Sequence, residues 1–354
     1  MGDMCVADQK PVRLVLTGLG MATKPHLQAL RDPECCVDLA GLYNRSRAKA
    51  ESLAQSANCR VFDSLEDIAG DPDVDGVIVT TPPDQRLEIV EMMARAGKHI
   101  LMEKPVERTL SAAEDLVEIC ERNKVLLGIV LQHRFRAGAQ RLRSLIDGGE
   151  LGDIALVRVD MPWWRGQDYY DQPGRGSYAR DGGGVLISQA IHVLDLMLSL
   201  TGPAQSVQAF CATTRLHDME AEDFATAGVR FASGAVGSIM ATTATFPGGT
   251  ESIVIDGTSG TATLRGGRLD VVWRDGRSEQ TDEPAGTGGG ADPMAFPCDW
   301  HRALIADFAM AIRDNRQPRI TGREALMVHA LIDAMTTSAR AGAVVEVSPM
   351  ARDA

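Results

Sequence analysis

Two stretches of this chain carry side chains suited to proton transfer. Glu103-Lys104-Pro105 follows the apolar run 99–102. A lysine between an acid and a proline is a poor surface choice and a good site choice. A cationic neighbour would disfavour its ammonium and bring it toward catalytic range. Pro105 fixes the chain after Lys104, and the bond between them can be cis. The second stretch is Gly182-Gly183-Gly184 with Ser188, Gln189, His192 and Asp195. Three glycines permit close backbone approach before a helix. Ser188 and His192 lie four apart, hence on one helical face. The four polar residues interleave with Leu186, Ile187, Ile191 and Leu194, so the polar groups should face a cleft and the apolar ones the core. The bland alternative is a buried histidine satisfied by a neighbour.

Positioning those groups requires a scaffold, and the first third of the chain reads as one. Strand-like runs at 12–17, 37–43, 75–80, 99–102 and 126–131 alternate with helical stretches at 24–31, 47–56, 85–96 and 111–123. That alternation means βαβ units and a parallel sheet. The first strand runs into Gly18-Leu19-Gly20-Met21-Ala22-Thr23. In a dinucleotide fingerprint the first Gly makes the tight turn and the second lets the backbone approach a pyrophosphate. Thr23 stands where Gly or Ala is usual; it reads as an N-cap, with Pro25 in the first turn. The second strand should end in an acid for the adenosine ribose, but the chain has Asn44, followed by Arg45, Ser46 and Arg47. Asn44 does not repel a 2′-phosphate and the arginines can bind one, so NADP is favoured over NAD, although ribose contacts by Asn stay open. Thr80, Thr81 and Pro82 follow the third strand, where an open α/β sheet binds ligands.

After about residue 133 the grammar changes. Helix 137–147 is followed by strand-like runs at 154–161, 205–213, 224–231, 235–245, 251–256, 260–264 and 268–273, with a helix at 185–200. Hairpin turns between them imply a mainly antiparallel sheet. Residues 281–298 read as an exposed loop, and helices 299–315 and 323–341 close the chain. The expected domains are 11–133 and 134–354.

The 354 residues are 44% hydrophobic and 24% charged, which excludes disordered and collagen-like classes. A net charge of −12 argues against nucleic acid as partner. No apolar run approaches a membrane span, and MGDMCVADQKP lacks the apolar core of a secretory signal. Seven cysteines without a CxxC pair indicate neither a disulfide framework nor a cysteine zinc site, and a reducing cytoplasm fits best. Cys35 and Cys36 are expected to pack rather than react. No metal site is expected: His192 and His301 stand isolated, and no HExxH occurs.

Together Gly18-x-Gly20, Thr81-Pro82-Pro83, Ala96-Gly97-Lys98-His99, Glu103-Lys104-Pro105 and Gly182-Gly183-Gly184 followed by His192 and Asp195 resemble the glucose–fructose oxidoreductase / inositol dehydrogenase / MocA (Gfo/Idh/MocA) family. Ile255–Thr261, Asp307-Phe308 with Ala311-Ile312, and Pro318 before Thr321-Gly322 extend the match over about residues 11–347. The resemblance implies an N-terminal Rossmann domain and a C-terminal α/β domain on a large open sheet, through which members form homodimers or homotetramers. It implies hydride transfer between NAD(P) and a sugar, cyclitol or related polyol. Lys104 is then the catalytic lysine and His192 the acid/base, with both converging on one oxygen. Gly18, Gly20, Met21, Ala22, Asn44, Arg45, Thr80, Thr81, Pro82, Glu103, Lys104 and Arg175 would line the cofactor. Trp164, Arg165, Tyr170 and Gln189 would meet a sugar-like substrate, aromatic faces suiting its C–H face; core packing is the alternative for those aromatics. Three positions depart from the family pattern. Ser188 replaces an Asp that would orient His192, which leaves three alternatives open: His192 acting alone, acting with Lys104, or assisted by Asp195 from elsewhere. Arg86 replaces a His, and Asn44 replaces the cofactor acid. Two other classes stay open: a glycosidase or epimerase that uses the nicotinamide transiently, and a cofactor-sensing binding protein.

Overall fold

The computed structural model describes residues 10–32, 35, 37–281 and 297–348. In chain order the main elements are β1 (Val12–Thr17), α1 (Thr23–Leu30), β2 (Val37–Tyr43), α2 (Arg47–Ala57), α3 (Leu65–Gly70), β3 (Gly76–Val79), α4 (Leu87–Arg95), β4 (His99–Glu103), α5 (Leu110–Arg122) and β5 (Leu127–Val130). Then follow α6 (Ala137–Asp147), β6 (Ile154–Pro162), α7 (Gln167–Tyr170), α8 (Ile191–Thr201), β7 (Ala204–Ala212), β8 (Phe224–Phe231) and β9 (Val236–Thr242). The chain continues through β10 (Ser252–Gly257), β11 (Gly260–Arg265), β12 (Arg268–Trp273), β13 (Ser278–Thr281), α9 (Asp299–Asp314), α10 (Gly322–Ala341) and β14 (Val345–Glu346).

The chain divides into two compact units. The first holds the residues up to Glu107, Ser111–Gln132 and Pro297–Ala325. Its sheet has the order β2-β1-β3-β4-β5, with every pairing parallel. Helices cover both faces of such a sheet, which is why β3 and β5 are buried at every position and read as unbroken apolar runs. All strands point the same way, so the segments after β1, β3 and β4 leave from one edge. The strand order reverses between β1 and β3, the switch point where such sheets bind ligands.

The second unit holds Arg108–Leu110, the chain from His133 through β13, and the residues from Leu326 on. Its nine-stranded sheet runs β13-β12-β11-β10-β6-β9-β8-β7-β14. Only the β6–β9 pairing is parallel; the rest are antiparallel. Strands such as β8 and β12 alternate buried and more exposed side chains, the mark of one face turned to the core.

The structure differs from the sequence expectation in four places. The closing helices do not all belong with the second half: α9 returns to the first unit and packs on α1 and the parallel sheet. An apolar stripe shows that a helix buries a face but not which sheet it covers. Thr23 is the first residue of α1 rather than its cap; Ala22 holds the cap position and no side chain closes it. Helix 185–200 is two pieces, a π-helical turn Leu186–Ala190 and then α8. Short α3, α7, β13 and β14 carry too few residues for a periodic signal. Loop 281–298 lies mostly outside the described residues. Among the described residues, no helix is long and apolar enough to cross a membrane.

Candidate active site

In the first unit, three connections build one edge of the parallel sheet. Gly18 turns at φ +80°, and a Cβ there would stand 2.6 Å from Thr81 Cγ2 and 2.8 Å from Thr81 N. Only glycine fits this crossing of the two loops. Thr80 Oγ1 donates to the Gly18 carbonyl from the neighbouring loop. Gly20 has open space where its side chain would be, and Met21 is exposed. Asn44, expected to meet the adenosine ribose, has a second task. Its Oδ1 accepts from Leu19 N at 3.1 Å and its Nδ2 donates to Ser46 O at 3.1 Å, so it holds the glycine loop open from the end of β2. Arg45 is exposed and donates to Gln85 Oε1 at 2.6 Å, whereas Arg47 is taken up by Glu51 and Asp63. The turn, the uncovered Gly20 and the loop clamp together suit a diphosphate.

Lys104 follows β4, and the Lys104–Pro105 bond is cis. Glu103 was expected among the cofactor contacts. Its carboxylate is instead buried, accepting from His26 Nε2 of α1 at 2.8 Å. His301 of α9 meets the His26 ring edge-on, with centroids 5.1 Å apart. His301 is therefore not isolated: His26, Glu103 and His301 offer ligand-type atoms within 4.8 Å of one another. The direct His26–Glu103 bond ties α1 to the end of β4, the residue before Lys104. Burial pushes the Glu103 carboxyl up, but the His26 hydrogen bond and the charges of His26, His301 and Lys104 outweigh it and hold the group at about 2. Burial, reinforced by His26, drives His301 down to about 3.

Sequence reasoning passed over Arg86 beyond noting its departure from the family. It is 2% exposed, and its guanidinium donates to the carbonyls of Thr81, Glu103, Pro105 and Val106. An arginine one helical turn before an apolar stripe looks like surface in a linear reading.

In the second unit, the triple glycine serves the fold. A Cβ on Gly184 would stand 1.8 Å from Glu222 O. Val185 N donates to that carbonyl at 2.7 Å, while the Glu222 carboxylate accepts from Gly184 N and Leu186 N. Glu222 thus caps the helix start. Burial raises its carboxyl despite these backbone bonds. The helix was expected to turn polar residues to a cleft, but Gln189, His192 and Asp195 are all buried and Ser188 is half-buried. The π turn also spoils the simple four-residue spacing between Ser188 and His192.

Asp195, the proposed helper of His192, is committed elsewhere. Arg134 grips it through two bonds of 2.8 and 2.6 Å. What lies against His192 is the ring of His133, stacked at 4.9 Å. His133 Nε2 contacts Arg136 Nη2 at 2.6 Å, and Arg136 pairs with Glu251 at 2.7 Å. A residue 59 positions upstream of His192 leaves no spacing signal.

The expected substrate residues come partly together. The guanidiniums of Arg175 and Arg165 lie 5.1 and 5.8 Å from the Tyr169 ring, and Tyr169 receives a 3.3 Å bond from Gln189. Arg175 also lies 3.6 Å from Asp181. Trp164 packs against His217 and Phe246. Tyr170 is buried, with its hydroxyl 2.6 Å from Thr243 Oγ1, as core packing requires. Burial raises this phenol above its ordinary range. Lys104 belongs to the first unit and His192 to the second.

Residues 12–130 match the oxidoreductase family with an NAD-binding Rossmann fold, and residues 139–263 match the GFO/IDH/MocA C-terminal domain. The chain belongs to the Gfo/Idh/MocA oxidoreductase family. Among its relatives, D-apiose dehydrogenase of Paraburkholderia graminis is 27% identical over 96% of this chain and 90% of that protein. The 1,5-anhydro-D-fructose reductase of Ensifer adhaerens is 28% identical, with 80% and 83% covered. The chain spans 53% to 59% of the length of three uncharacterized oxidoreductases that it also matches. Among solved structures, the WlbA dehydrogenase of Bordetella pertussis, in complex with NADH and UDP-GlcNAcA, is 29% identical with a TM-score of 0.81, covering 96% of this chain and all of that one. The family's nicotinamide cofactor agrees with the uncovered Gly20 and the Asn44 clamp described above.

Proposed function

We propose that this family member is an NAD(P)-dependent dehydrogenase or reductase of sugar-like CH–OH groups. The observation carrying the reading is that the glycine loop, the Thr80–Pro82 segment and Lys104 all leave the same edge of one parallel sheet. The sugar dehydrogenase and reductase among the relatives support the substrate class. The bound nicotinamide would accept or return the hydride. His192 takes the hydroxyl proton during oxidation, and the Lys104 ammonium favours alkoxide character in the reacting group. In reduction the two groups return the proton. Arg165, Tyr169 and Gln189 orient the sugar.

NADP is our preferred cofactor, because Asn44 is uncharged and Arg45 is exposed beside it. We further propose a homodimer or homotetramer built through the second sheet, whose strands expose Leu156, Phe210, Val236 and Val272. A cytoplasmic setting suits the cysteines, since Cys35, Cys59, Cys120, Cys211 and Cys298 are all free.

The test begins with fluorescence titrations of NADPH and NADH, followed by a screen of sugars and cyclitols at the reduced-cofactor absorbance. Lys104→Ala, His192→Ala and the double variant are then compared. If both groups serve one oxygen, the double variant is little slower than the slower single one. Substrate conversion without absorbance change would point to transient cofactor use. Tight cofactor binding with no turnover of any polyol or keto-sugar would make the protein a sensor.

A further inference from the structure

We propose that Arg86 is a positioning residue, which fixes the loop carrying Lys104 and thereby sets the rate of hydride transfer without touching substrate. The proposal rests on the reading of Lys104 as the catalytic lysine. Arg86 sits between the loops that follow β3 and β4. Its Nε and Nη2 donate to Thr81 O at 3.0 and 2.9 Å. Its Nη1 turns to the other loop, donating to Glu103 O at 2.5 Å, to Pro105 O, and to Val106 O at 3.4 Å. The accepting carbonyls therefore lie on both sides of Lys104 in sequence.

The arrangement is costly unless it has a use. A guanidinium loses hydration on burial, and its hydrogen bonds here end on carbonyls, which carry only partial charge. Burial lowers Arg86 to about 10, while the charges of Glu103, Glu107 and Asp84 push the other way, so it stays cationic at neutral pH. What arginine offers is shape. Its planar fork presents donors in two directions and ties two loops at once, whereas a lysine ammonium is a point charge on a flexible stem. The Glu103 side chain is held separately by His26. Lys104 is thus flanked by a residue clamped at both its side chain and its carbonyl, and by a proline whose carbonyl is also held. A displacement of about 1 Å in a reacting group can cost about a hundredfold in rate.

Arg86→Lys and Arg86→His are each made in the wild-type and Lys104→Ala backgrounds. Turnover, KM, NADPH affinity and amide hydrogen exchange are measured. The expected result is a fall in kcat of about 10- to 100-fold in the wild-type background, larger than the loss of NADPH affinity that loosening the Thr81 loop brings. In the Lys104→Ala background the same substitutions should cost less than about twofold, because the group they position is gone. Exchange should speed up in residues 103–108 and stay unchanged in residues 12–17. Equal losses in both backgrounds, or an unaltered kcat, would overturn the positioning role. The exchange measurement stands apart from Lys104. If Lys104→Ala turns over normally, the catalytic reading fails; unchanged protection at 103–108 sinks the Arg86 proposal whatever Lys104 does.

Discussion

His301 should make the first unit lose stability between pH 7 and pH 5. The ring is 2% exposed, and its ordinary value of 6.5 falls to about 3 through burial and the neighbouring His26. The folded protein therefore keeps His301 neutral throughout this range, while the unfolded chain takes up a proton below 6.5. Proton uptake by the unfolded state alone favours unfolding as pH falls. This group's contribution is complete above pH 6.5 and declines toward pH 3. At pH 5 the penalty is the 1.5-unit gap below the unfolded value, about 2 kcal/mol at 1.36 kcal/mol per unit. Glu103, held at about 2, contributes no titration in that window and enters only between about 4.5 and 2. The assay is urea denaturation of wild type and His301→Gln, at pH 7 and pH 5. His301→Gln is less stable at both, but its own loss on acidification should be smaller by about 2 kcal/mol. Comparing the two proteins cancels the histidines that do not contact His301; His26 does contact it. Parallel losses would mean that the folded ring accepts a proton, and the reasoning from burial would fail.

Lys104→Ala should cut turnover by about two to four decades and leave NADPH affinity nearly unchanged, checked by steady-state kinetics and fluorescence titration. Asn44→Asp keeps an acceptor for Leu19 N but sets a negative charge where a 2′-phosphate would lie. The ratio of NADPH to NADH affinity should fall at least about tenfold by titration. Arg134→Met leaves the 1%-exposed Asp195 without its two-bonded partner and should cost about 3–5 kcal/mol in chemical denaturation. Gly18→Ala forces a side chain against Thr81 at positive φ, so both the melting temperature and cofactor affinity should drop.

Much of the molecule could be read from its residues in order. Alternating runs of β-branched residues and amphipathic stretches specify βαβ units, because a parallel strand buried on both faces must be apolar throughout. The glycine loop, Glu103-Lys104-Pro105 and the triple glycine before His192 are local in sequence and announce themselves. Where groups meet from distant segments, the linear order is silent. Asp195 was one candidate helper for His192 once Ser188 stood in place of the family's Asp; packing gives it to Arg134 and sets His133 against His192. Glu103 looked like a ligand contact until α1 and α9 brought two histidines to it. Arg86 drew notice only as a departure from the family pattern until two loops closed around it. The chain by itself determined which chemistry each segment carries, since periodicity and turn residues are local properties. The tertiary structure decided which of those groups are charged, clamped or committed, because desolvation and hydrogen-bond partners exist only once remote segments pack.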